Sequence, residues 1–166
     1  MRVPASIVSL AALVALTGCE KKLEPPPSGG PGHEHHAPHK GALEVLGEEA
    51  AHVELVLDPA TGKLTGYVLD GEAEKPVRIA ETALRIKITD LPGGETTVEL
   101  KPVANALTGE KAGDTSQFEA TSEKLKGVTK FSGRLETITA RGAKFDDVEI
   151  GYPGGNEHEE KSDAGK

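Results

Sequence analysis

Between Val53 and Tyr152, several short runs alternate apolar and polar residues at every second position. Turn-forming residues interrupt that alternation roughly every ten residues. Side chains on a strand point to opposite faces in turn, so this pattern builds half-buried strands and little else. Val53, Leu55 and Leu57 alternate with His52, Glu54, Val56 and Asp58. Asp58-Pro59-Ala60-Thr61-Gly62 is a turn in which Pro presets φ and Gly takes a left-handed exit. Leu64 to Leu69 reads as the returning strand, and Val77 to Ala80 as a short edge strand after Pro76. The cleanest alternation is Leu84-Arg85-Ile86-Lys87-Ile88-Thr89. Across Leu91-Pro92-Gly93-Gly94 it pairs as a hairpin with Thr96 to Lys101.

Residues 102–116 read as loop, Gln117 to Ala120 as a strand, and Glu123-Lys124-Leu125 as a connecting turn. Val128 to Ala140 has an irregular period, which predicts a bulge near Gly133. Arg141-Gly142 then turns the chain into Phe145 to Tyr152. About seven to nine short strands with no amphipathic helix predict an all-β fold, an antiparallel β-sandwich or alternatively a small β-barrel. Trp is absent and Phe and Tyr together number five, so the core must be aliphatic. A globular part of about 115 residues buries roughly 65% of its unfolded surface, enough to fold without staples.

The first 40 residues have a different composition. Met1-Arg2 and the apolar run Val3 to Leu16 have the length of a secretory leader and are too short for a permanent span. Leu16-Thr17-Gly18-Cys19 follows, and Cys19 is the sole cysteine. This stretch resembles the bacterial lipobox, which implies cleavage after residue 18 and diacylglycerol transfer to the Cys19 thiolate. Two or more acyl chains then give stable membrane anchoring where one is marginal. With Cys19 consumed, neither a disulfide nor thiol catalysis remains. Glu20, not Asp, follows the cysteine. By the sorting rule of some two-membrane bacteria, that favours the outer membrane.

Residues 19–40 are rich in Pro and Gly and poor in apolar side chains, so they read as a disordered tether. As a coil it has a mean reach of roughly 25–30 Å. The expected organisation is therefore a leader at 1–18, the tether at 19–40, a β-domain at 41–153 and an acidic disordered tail at 154–166. Removing Arg2 with the leader takes the formal net charge from −8 to about −9. A body that acidic releases no counterions from phosphates, which excludes nucleic acid as partner.

His33-Glu34-His35-His36-Ala37-Pro38-His39 gathers four of the six histidines. Imidazole is largely unprotonated at neutral pH and suits Zn²⁺, Cu²⁺ or Ni²⁺. His33, His35, His36 and His39 are thus the candidate metal ligands, at the entropic cost of ordering the segment. His52, on the polar face of its strand, reads as solvated. No calcium-loop spacing, Gly-x-Ser-x-Gly turn or phosphate-cradling loop occurs, and no catalytic residue is expected.

His39-Lys40-Gly41, Val53 to Asp58, Thr61-Gly62-Lys63-Leu64 and Tyr67-Val68-Leu69-Asp70 together resemble a pattern of small bacterial lipoproteins. They are also similar to the N-terminal β-domain of periplasmic adaptor subunits in heavy-metal efflux pumps. That pattern usually reads His-Gly-Gly, and Lys40 replaces its first glycine. The long helical hairpin of an adaptor is missing from this chain. The resemblance implies at most the extra domain standing alone, with an efflux system as a possible partner. The expectation is a non-enzymatic, lipid-anchored extracytoplasmic module that captures or buffers divalent metals without requiring a cofactor. The alternative is an envelope scaffold whose histidines are incidental.

Overall fold

The computed structural model describes residues 35–156. They form eight antiparallel strands in one nearly closed, barrel-like sheet, the all-β architecture expected, in its barrel form. The strands are β1 (Ala42–Leu46), β2 (Ala51–Asp58), β3 (Lys63–Leu69), β4 (Leu84–Ile88), β5 (Thr96–Pro102), β6 (Gln117–Thr121), β7 (Phe131–Ala140) and β8 (Ala143–Tyr152). Their spatial order is β1-β2-β3-β6-β5-β4-β7-β8. Two connections, after β3 and after β6, therefore cross between strands that are not neighbours. The β6–β7 connection holds a single 3₁₀ turn, Glu123–Leu125, which buries Leu125.

The inward positions form one aliphatic core: Val53, Leu55 and Leu57 from β2, Leu84, Ile86 and Ile88 from β4, and Leu135 and Ile138 from β7. Phe118 and Phe131 are its largest fully buried side chains. The β4–β5 hairpin forms as predicted, with Leu84 opposite Leu100 and Ile88 opposite Thr96. At the β2–β3 turn the Gly62 N–H donates to the Asp58 carbonyl at 2.8 Å with φ +71°. The Asp58 carboxylate accepts from the Ala60 N–H at 2.9 Å and the Thr61 hydroxyl at 2.6 Å.

Three expectations are corrected. Val77 to Ala80 is not a strand; it contributes only an isolated bridge between Ile79 and Thr115, with Pro76 bridging Leu69 just before it. The irregularity of β7 lies at Glu136, not Gly133. Phe131 and Leu135 face the core with odd numbering, Ile138 and Ala140 with even, so the strand changes face between them. Opposite Glu136 stands Asp147, at φ +53°, and the pairing of Leu135 with Val148 resumes as Thr137 with Asp146. Both strands slip together, so their register is unbroken. Gly133 serves another need: a Cβ there would come within 2.5 Å of the Lys87 carbonyl oxygen, where β4 and β7 approach.

Finally, Gly154 to Asn156 belong to the domain, not to a tail. The Asn156 side chain accepts from the Val45 N–H at 2.6 Å and donates to the Glu149 carbonyl at 3.0 Å. It stands in for a strand peptide between β1 and β8, the two edges of the sheet. Beside it, the Gly151 N–H donates to Glu44 at 3.0 Å. Glu44 is fully buried, and burial pushes its carboxyl up to about 7.

Candidate functional site

The sheet has a second buried surface, on the outside of β1–β3. Leu43, Glu54 and Tyr67 share that outer face through cross-strand pairing, as do Val45, His52 and Leu69. Leu43, Leu69 and Ala73 form a small apolar cluster there, with Ala37 packed against it. Residues 35–41 run across this face instead of hanging free. The docking is local and polar: the Lys40 N–H donates to the Ala37 carbonyl at 3.1 Å, closing a turn that leaves Lys40 at φ +60°. Gly41 then passes so close to β2 that a Cβ would sit 2.3 Å from the Leu55 carbonyl oxygen. Only glycine fits.

Glu54 holds the segment down. Its side chain is fully buried, and its carboxylate accepts from the His39 N–H at 2.7 Å and the Gly41 N–H at 2.8 Å. The other oxygen meets His39 Nδ1 at 2.7 Å. A buried carboxylate costs dearly unless hydrogen-bonded, and these three donors supply the compensation. The His39 ring lies flat on Tyr67, centroids 3.7 Å apart and planes 8° from parallel. Burial raises the Tyr67 hydroxyl above its ordinary range, and the Glu54 charge adds to the shift.

Two residues before Glu54 on the same strand, His52 reaches the same face, and it overturns the reading of a solvated side chain: it is fully buried. Residues 35–41 and the loop after β3 cover it, which alternation along one strand cannot reveal. His52 Nδ1 lies 3.0 Å from the Asp70 carbonyl oxygen. A carbonyl only accepts, so Nδ1 carries a proton and the neutral ring has its lone pair on Nε2. That Nε2 is buried and has no hydrogen-bond partner among the described residues. The ring of His35 stands edge-on to it, centroids 4.7 Å apart and planes at 75°.

The predicted ligands are thus not gathered at one point. His35 lies beside His52, His39 lies with Glu54 and Tyr67, and His36 is exposed. His33 and the lipidation residue Cys19 fall outside the described residues. Among the described residues, no three or more His, Cys, Asp or Glu side chains converge as a ligand set. Sequence reasoning named the histidines of the segment and missed the sheet residues that receive them. A signal did exist, since β1 is apolar at consecutive positions, Ala42-Leu43 and Val45-Leu46, and so is β3 at Val68-Leu69. Strands of that kind bury both faces. No family model, curated protein or solved structure matches the chain.

Proposed function

We propose that this chain is a lipid-anchored extracytoplasmic binding module that captures or buffers divalent transition-metal ions in support of metal efflux or homeostasis. The observation that carries the reading is that two imidazoles of the His-rich segment are docked on one face of the sheet. His35 and His39, half of the His33–His39 set, lie on a sheet face that supplies a further imidazole, a carboxylate and a phenol. Several residues of the efflux-adaptor resemblance, Gly41, Glu54 and Tyr67 among them, belong to that same face. Zn²⁺, Cu²⁺ and Ni²⁺ suit imidazole donors, and the protein's acidic charge favours cations over anionic partners.

Isothermal titration of Zn²⁺ and Cu²⁺ into the full chain, and into a variant with His33, His35, His36 and His39 all changed to Ala, tests this. Binding by the former that is lost or strongly weakened in the latter is the expected result. Negligible binding by both removes the metal role. Mass spectrometry of native material tests the anchor, which requires a diacylated Cys19 at the amino terminus.

One observation favours a second reading, an envelope scaffold without metal. Glu54 uses both the N–H and Nδ1 of His39, so this histidine also works as a clasp that folds the segment onto the sheet. A partner recovered by crosslinking and indifferent to chelator would support that reading.

A further inference from the structure

We infer that His52, outside the His-rich segment, is the anchoring ligand of a transition-metal site on the outer face of β1–β3, with His35 as its second imidazole. The inference rests on the metal-binding reading above and names where the ion sits.

Three features of His52 carry it. The Asp70 carbonyl fixes the tautomer, as an outer-shell acceptor does for most metal-bound histidines. The opposite nitrogen, Nε2, is buried and makes no hydrogen bond among the described residues. A buried polar atom normally finds a partner, so an exception calls for an unseen ion or water. Third, the position of His35 suits a shared ion. With metal–nitrogen bonds of about 2.0–2.1 Å, an ion lies about 3.2 Å from each ring centroid. Two such rings are then about 4.5 Å apart at a right-angled N–metal–N arrangement and about 5.2 Å at a tetrahedral one. The observed 4.7 Å falls between these limits.

The surroundings fit the same role. Leu43, Leu69 and Ala73 with Ala37 make a local apolar cluster on this face, a low-dielectric flank for the two rings. The Asp70 loop that presents the carbonyl is itself tied down. Its carboxylate accepts from the Glu74 N–H at 2.9 Å and the Lys75 N–H at 3.1 Å. Two protein donors leave the remaining coordination positions to water, which makes the ion exchangeable. That is the property a capture or hand-over module needs.

The test uses the full chain, with Zn²⁺ alone and Cu²⁺ alone as probes. His52→Asn keeps an amide donor for the Asp70 carbonyl and removes Nε2. His35→Ala removes the second imidazole. His52→Asn and His35→Ala should each weaken the tightest binding phase by about tenfold or more. If wild type binds and His52→Asn binds equally tightly, the inference fails while the general metal reading survives. If wild type binds neither ion, both fall. A readout on the wild-type chain avoids any dependence on variant folding. In long-range ¹H–¹⁵N imidazole spectra, Zn²⁺ should shift Nε2 of a ring whose Nδ1–H is protected from exchange. Shifts confined to rings with no protected N–H would overturn the assignment.

Discussion

The inside of the barrel and the outside of β1–β3 are both buried, but by different physics. Inside, Leu, Ile, Val and two Phe side chains pack against one another, and the gain scales with apolar area removed from water. Outside, the burial is polar at its centre: residues 35–41 cover Glu54 and Tyr67 through directed hydrogen bonds and a ring stack, and His52 through the edge of the His35 ring. The interior is redundant, since each side chain has many equivalent neighbours. The outer face depends on single acceptors, above all Glu54, so it should open locally while the barrel stays shut.

The largest effect is expected in the interior. Phe118→Ala leaves a cavity in the centre of the core and should cost about 3–5 kcal/mol, read from denaturant unfolding. Removing Glu54 should cost less and act differently. Glu54→Ala strands two backbone N–H groups and the His39 ring, for a loss of about 3 kcal/mol. Hydrogen exchange should quicken at residues 39–41 and leave the β4–β7 pairing as protected as before. Equal deprotection of both regions would erase the distinction between them.

Glu44 sharpens the comparison because it is a carboxyl on the aliphatic side. Its folded value of about 7 lies above the ordinary 4.5, so the folded chain holds a proton that the unfolded chain has released. Stability is therefore fully present below about pH 4.5, falls through the window up to about pH 7, and then levels off. At about 1.4 kcal/mol per pH unit the loss is about 3 kcal/mol. Glu44→Gln should flatten that slope and be more stable than wild type at pH 8 by about 2 kcal/mol, after allowance for a buried amide lacking one partner. An unchanged slope in the variant would assign the titration to another group.

The same contrast explains what could be read from the chain alone. Alternation made β2, β4, β5 and β8 legible, because each has one wet face or one clearly apolar face. The turns at Asp58–Gly62 and Arg141-Gly142 were legible because Asp, Pro and Gly act locally; the latter has both residues at positive φ, at 52° and 83°. β1 was not, since Ala-Leu-Glu-Val-Leu is apolar toward both sides and has no period. The paired slip of β7 and β8 showed only as a broken rhythm, with its place hidden. His52 and Glu54 were misjudged for a related reason: what covers them comes from residues 35–41 and the loop after β3, and much of that contact is made by main-chain groups, which carry no sequence signature.

The smallest effect is expected at the seam between β1 and β8. Asn156 bridges the two edges where ordinary ladder bonds are missing, accepting from Val45 and donating to Glu149. Asn156→Ala removes one good acceptor and one good donor while leaving the strands in place. At a net worth of about 0.5–1.5 kcal/mol per hydrogen bond, partly replaced by water at the half-buried edge, the loss should be about 1–2 kcal/mol. Its signature is local: faster exchange at the Val45 N–H, with that of Gly41 unchanged because Glu54 holds it on the other side of β1. Asn156→Asp separates shape from charge at the same place, since an added carboxylate still accepts from Val45 but opposes the Glu149 carbonyl. If Asn156→Ala instead unfolds the chain as thoroughly as Phe118→Ala, closure of the sheet is part of its core, and the interior is less redundant than its packing implies.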